Sequence, residues 1–201
     1  MKAEKVLKAM FNVMLDRLPE EWNGHKIRTD FRIGIQIIQC LGDMDFTMEE
    51  RLDRAFRLLF LELPDSYQDA REGLSWFMTE FCHDNYSAVK HENVVLMDYD
   101  IDQWRIYSAF LLQYHIDLNK TKMHWFVFMG LLNNLEECTY TRIIEIRRKK
   151  IDAKLPIDTK KILYDAKKIY GLDKRQPEES EEDKEAEKMA LAAFNMLRNG
   201  R

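Results

Sequence analysis

Glycine and proline are scarce, at 7 and 4 residues in a chain of 201. Turns, barrels and phosphate-cradling loops consume these two residue types. Their shortage argues against a β-sandwich, a collagen-like chain and a Rossmann-type phosphate binder, and favours a helical protein. Cysteine is scarce too: Cys40, Cys82 and Cys138 contain no CxxC pair. An odd, scattered set suits a reducing compartment and small buried side chains better than a disulfide framework. No long uncharged apolar run exists. The longest, residues 123–135, falls well short of the roughly 20 residues that cross a bilayer. Neither sign of charge dominates: 31 Lys and Arg stand against 35 Asp and Glu, a net of −4. There is no global basic field for nucleic acid. Catalytic motifs are missing as well, with no GxGxxG, P-loop, GxSxG or HExxH.

What is present is charge and helical periodicity. Charged residues make up 33% of the chain, against about 25% in an average globular protein. The expected architecture is all-α: one multi-helix domain over residues 1–172, an acidic linker over 173–187 and a short amphipathic helix over 188–201, with one small β-hairpin near residues 20–29. Val6, Leu7, Met10, Phe11, Met14, Leu15 and Leu18 follow helical spacing and predict a first helix that stops near Pro19. The segment lacks a long apolar stretch and a small-residue cleavage site, so it does not read as a signal peptide. A soluble intracellular protein is expected. Asn23-Gly24 is a hairpin turn signal.

Helix starts are well marked. Asp30 reads as the cap of an apolar helix in which Gly34 implies a close packing contact. Thr47 and Glu50 have capping-box spacing, and Ser66 with Asp69 repeats it. Asp98 or Asp100 is placed to cap a helix over residues 101–118. That run and 123–135 are apolar on most sides, so both are expected at the centre of the core. A further helix is expected from Thr141 through Lys154, and one from Asp158 to Tyr170 closed by Gly171. Residues 83–97 read as a connector of mixed character. From Asp173 to Lys188 eight acids face four bases, and Met189, Leu191, Ala192, Phe194, Met196 and Leu197 then restore an amphipathic pattern.

Candidate chemistry is sparse. His115, Asp117 and His124 are the one histidine set that consecutive helices can bring together, three ligands for a metal-assisted hydrolase. Asp98, Asp100 and Asp102 at a helix start suit the positive end of the helix dipole better than Mg²⁺. Residues 142–168 hold ten bases and four acids, centred on Arg147-Arg148-Lys149-Lys150. Phosphate binding is one use for such a stretch. Without an interleaved aromatic platform, contact with an acidic protein surface or with the chain's own acidic tail fits it better. No cofactor, metal set or catalytic residue is assigned.

Several of these residues together resemble a known family. Asp30-Phe-Arg32 opens an apolar helix. Asp98-Tyr-Asp-Ile-Asp102, Trp104, Ala109-Phe110 and Tyr114-His-Ile-Asp-Leu118 come next, then Met123-His124-Trp125-Phe126, Leu131-Leu132 and Thr141-Arg-Ile-Ile-Glu-Ile-Arg147. This pattern is similar to the bacteriophage "gene product fifteen" family of tailed phages and prophages in Gram-positive bacteria. It covers residues 1–160 and is densest over 98–147. The resemblance implies a place in the tail-morphogenesis module and a role like that of a tail assembly chaperone. Such a protein coats the helix-rich tape-measure protein, in the host bacterial cytoplasm, until tube subunits polymerise around it. The implied partners are the tape measure and other tail proteins, and many copies coating a rod imply a homo-oligomer. The family supplies no catalytic residues to carry over.

A binder of amphipathic helices needs apolar grooves, and 11 methionines suit an adaptable one. The residues expected at a partner surface are Trp104, Tyr107 and Trp125, with Trp22 and Trp76 as further groove aromatics and Arg147, Arg148, Lys149 and Lys150 as a charged rim. The alternatives are a structural tail subunit retained in the virion, the metal-assisted hydrolase, and a nucleic-acid binder acting through residues 142–168.

Overall fold

A computed structural model of the chain describes residues 12–80, 95–152 and 155–172. Among these the fold is mainly α-helical, with seven helices and one two-stranded antiparallel sheet. The described residues fall into two compact units. The first comprises residues 12–80 and Trp104–Cys138; the second comprises residues 95–103 and those from Thr139 onward. The expected linker and last helix lie outside the described residues, as do Phe81, Cys82 and most of the 83–97 connector.

In the first unit the expected N-terminal helix does not run to Leu18. Residues 1–11 are not described, and Asn12–Asp16 form a single turn. The Asn12 side chain accepts from the Met14 N–H and the Asp16 carboxylate accepts from the Asn12 N–H. These local bonds capture backbone donors that a helix would need. The hairpin forms as its turn signal requires. Strands β1 (Glu21–Trp22) and β2 (His25–Lys26) pair antiparallel around Asn23 and Gly24, both at positive φ. Its far end continues into the main body, where the Leu61 N–H donates to the Lys26 carbonyl and the Arg28 N–H to that of Leu59.

Helices α1 (Phe31–Leu41), α2 (Met48–Leu59), α3 (Tyr67–Thr79), α4 (Gln103–Tyr114) and α5 (Trp125–Asn133) complete this unit, apart from Gln103. Asp30 caps α1, and Thr47 and Glu50 close a full capping box on α2. Ser66 caps α3, but the box expected with Asp69 stays open because that carboxylate is used elsewhere. It accepts from Trp22 Nε1 and Asn23 Nδ2, tying the hairpin to α3.

Helices α1 and α5 begin side by side. The Trp125 N–H donates to the Thr29 carbonyl at 2.7 Å and the Phe31 N–H to that of Met123 at 2.9 Å. One turn into α1, Gly34 lies so close to the Trp125 indole that a Cβ would enter the ring. That is the contact its position predicts. Around this pair the rings of Phe31, Phe128 and Phe110 stack in sequence, and Phe77 lies against Trp125. Apolar ring burial of this kind dominates core energetics.

The second unit contains α6 (Thr139–Arg148), α7 (Ile157–Tyr170) and the turn Asp98–Asp102. Helix α6 stops at Arg148, short of the expected Lys154. Ile151 beyond it is exposed, and without an apolar face to bury, short helices do not persist on propensity. Pro156 occupies the cap position of α7, and Asp158 sits in its first turn instead of capping it. Gly171 closes α7 in extended backbone, its N–H donating to the Lys167 carbonyl.

Candidate functional site

Arg147 organises the second unit. Its guanidinium faces the Asp102 carboxylate through two bonds, Nη1 to Oδ2 at 2.6 Å and Nη2 to Oδ1 at 3.0 Å. Nη1 also donates to the Leu96 carbonyl and Nε to that of Tyr170. Asp102 is fully buried and Arg147 is 6% exposed. One arginine thus ties three segments, residues 96–102, α6 and the end of α7. Lys167 adds a bond from Nζ to the Arg147 carbonyl. Arg147 therefore faces inward and does not belong to a charged rim. Its neighbours Arg148, Lys149 and Lys150 are exposed. Asp98, in the same turn, accepts from the N–H groups of Asp100 and Ile101.

Trp125 is likewise internal, with no exposed surface. Trp22 and Trp76 are half-buried and pack together with ring centroids 5.0 Å apart, Trp76 edge-on to Phe126. A Cβ at Gly73 would come within 2.6 Å of the Trp22 ring. These three tryptophans hold the first unit together and do not form an open groove.

The outer face of α4 is different. Its inner side buries Ile106, Ala109 and Phe110, but Trp104 is 71% and Leu112 76% exposed, with Leu111 beside them at 41%. Residues 104, 108, 111 and 112 share one face at helical spacing, so the three apolar side chains form a stripe interrupted only by the small Ser108. The expectation that α4 is buried on all sides holds for its inner face alone. Tyr107 flanks the stripe. Its ring stands edge-on to Trp104 with centroids 5.9 Å apart, and its hydroxyl donates to Asp117 at 3.2 Å. Lys120 first, then the Asn119 N–H and Tyr107, hold the Asp117 carboxyl below its ordinary range. The anchored Tyr107 thus supports Trp104. The i, i+7, i+8 spacing was the available clue, obscured by the apolar residues on the other faces.

The histidine set does not assemble into a metal site. His124 caps α5, its Nδ1 accepting from the Phe126 N–H at 3.1 Å. That bond needs the Nδ1 lone pair, so the ring proton sits on Nε2 and is donated to the Pro19 carbonyl at 2.9 Å. Burial lowers the pKa of His124, which favours this neutral form. Both nitrogens are engaged. His115 ends the α4 segment at positive φ and is exposed. Among the described residues no group of three or more His, Cys, Asp or Glu is arranged to hold a metal ion. Cys40 and Cys138 are half-buried where small buried side chains were expected, and burial raises the Cys40 pKa. No helix among the described residues is long and apolar enough to cross a membrane.

A family model described as Bacteriophage Gp15 protein matches residues 14–172. The chain belongs to this family. The matched span runs from the turn before Pro19 to the end of α7 and takes in both units. No curated protein and no solved structure matches the chain. Family membership makes this a bacteriophage structural or morphogenesis protein.

Proposed function

We propose that this Gp15-family protein is a tail assembly chaperone that holds the helical tape-measure protein in the host bacterial cytoplasm until the tail tube polymerises. The observation that carries the reading is the exposed stripe of Trp104, Leu111 and Leu112 on α4. A tryptophan left open beside two leucines forms the kind of apolar patch that marks a contact surface. Its spacing matches the way an amphipathic helix meets a groove or another helix. Ser108 between them lets a partner backbone approach closely. The exposed bases Arg148 to Lys150 supply an electrostatic edge that steers acidic partners without fixing the apolar register. The protein acts by covering surface and not by catalysis, and many copies along one rod make it a homo-oligomer in use.

Co-expression with the neighbouring tape-measure protein, followed by light scattering on the eluted complex, tests this. A soluble complex with several copies per tape measure is expected. Trp104→Ala combined with Leu112→Asp should weaken it by about 30-fold or more, the scale of a hot-spot loss of about 2 kcal/mol, with an unchanged far-ultraviolet spectrum. A protein that leaves the tape measure insoluble, and that is instead found in purified particles, would overturn the reading in favour of a retained tail subunit.

A further inference from the structure

Helix α7 uses only half of its apolar surface. Leu163, Ala166 and Tyr170 are half-buried, while Ile162 and Ile169 are each 69% exposed. Residues 162, 166 and 169 lie at i, i+4 and i+7, so the exposed isoleucines continue the packed stripe around the helix. The charge around it is net basic. Lys161 and Lys168 each precede an exposed isoleucine on the side that also carries Asp158 and Asp165, and Lys160 and Lys167 lie on the opposite face. Arg148, Lys149 and Lys150 stand at and just beyond the end of α6. The described chain leaves α7 at Gly171 in extended backbone. The sequence after α7 has the complementary pattern. Residues 178–187 carry seven acids and one base, and 189, 193, 196 and 197 then place Met, Ala, Met and Leu at i, i+4, i+7 and i+8.

We propose that the chain's own segment 188–199 covers the Ile162–Ala166–Ile169 stripe, drawn there by the acidic run 178–187 against the lysines of α7. The reach is sufficient. Helix α7 is about 21 Å long at 1.5 Å per residue. The fifteen residues 173–187 can extend about 50 Å, more than enough to double back beside it. Because the tail is tethered, its effective concentration at the stripe is on the order of millimolar, and a weak apolar contact suffices. The stripe on α4 is a separate surface, so this inference does not rest on the chaperone reading.

Isoleucine δ1-methyl labelling of the full chain tests it, with Ile162→Val and Ile169→Val used for assignment. The full chain is compared with the double variant Phe194→Asp, Leu197→Asp. The proposal expects resolved shifts of the Ile162 and Ile169 methyl signals between the two proteins and none at the buried Ile37 and Ile143. Those shifts should be independent of protein concentration, and raised salt should reduce them. Unchanged Ile162 and Ile169 signals would overturn the proposal. So would shifts that disappear on dilution while the scattering mass falls, since these would place the tail on a second copy.

Discussion

Helix α5 buries four of its nine residues, whereas α7 buries none of its fourteen. The two also begin differently: His124 caps α5 through its ring, and Pro156 gives α7 no side-chain cap. A helix of α7's length is marginal alone in water. Its persistence has to come from attachment, and besides the half-buried Leu163, Ala166 and Tyr170 that attachment centres on one residue. Arg147 receives Lys167 at its carbonyl and donates to that of Tyr170. One helix is held by buried area and the other by half-buried packing and part-buried polar bonds, so the two should fail in different ways.

The largest loss is expected at Trp125. Trp125→Ala removes a fully buried indole on which Gly34, Phe77 and Phe128 close. It should cost about 5 kcal/mol, the upper end for aromatic truncation in a packed core. Ile157→Ala in α7, 82% exposed and outside the Ile162–Ala166–Ile169 stripe, should stay within about 0.5 kcal/mol, as surface changes do. Urea unfolding of both variants checks the contrast, and similar losses would break it.

Arg147 comes next. Arg147→Met leaves the Asp102 carboxyl group fully buried and without its guanidinium, and should cost about 3 to 4 kcal/mol. Adding Asp102→Leu should recover part of that loss, because the buried carboxyl group left without its partner goes with it. Hydrogen exchange should show α7 amides losing protection in the single variant while α5 amides keep theirs. Equal loss in both helices would mean that Arg147 does not hold α7 in particular.

The local devices were legible from sequence because their chemistry lies within a few residues. The Thr47–Glu50 box, the Asp30 cap, the Asn23-Gly24 turn and the tight approach at Gly34 are all dictated by spacing and steric size. Asp69 shows where that ends. Its spacing from Ser66 promises a reciprocal box, but Trp22 and Asn23, more than forty positions away, take the carboxylate. Arg147 is the same case on a larger scale. In a run of four bases nothing distinguishes it from Arg148, and its partner Asp102 lies 45 residues earlier. The outer face of α4 stayed hidden for another reason. Periodicity ranks the faces of a helix by polarity, and a helix apolar on several faces offers no contrast to say which one the core takes. The inward turn of Trp125 and Arg147 and the exposure of Leu111 and Leu112 were hidden for these two reasons.

The smallest effect sharpens the comparison at the helix starts. His124 is neutral in the folded protein, and burial lowers its pKa below the ordinary 6.5. Between 6.5 and that lowered value the unfolded chain binds more protons than the folded one, so stability falls as pH drops through this window. It is fully present above 6.5. Protonation would place a hydrogen on Nδ1, facing the Phe126 N–H, so the lost stability reports on the cap of α5 itself. Asparagine is a good cap and does not titrate. Wild type should therefore lose more stability than His124→Asn between about pH 7 and pH 5, as read by urea midpoints at each pH. Parallel profiles would show that the imidazole cap contributes nothing to the pH response, and α5 would then rest on its buried area alone.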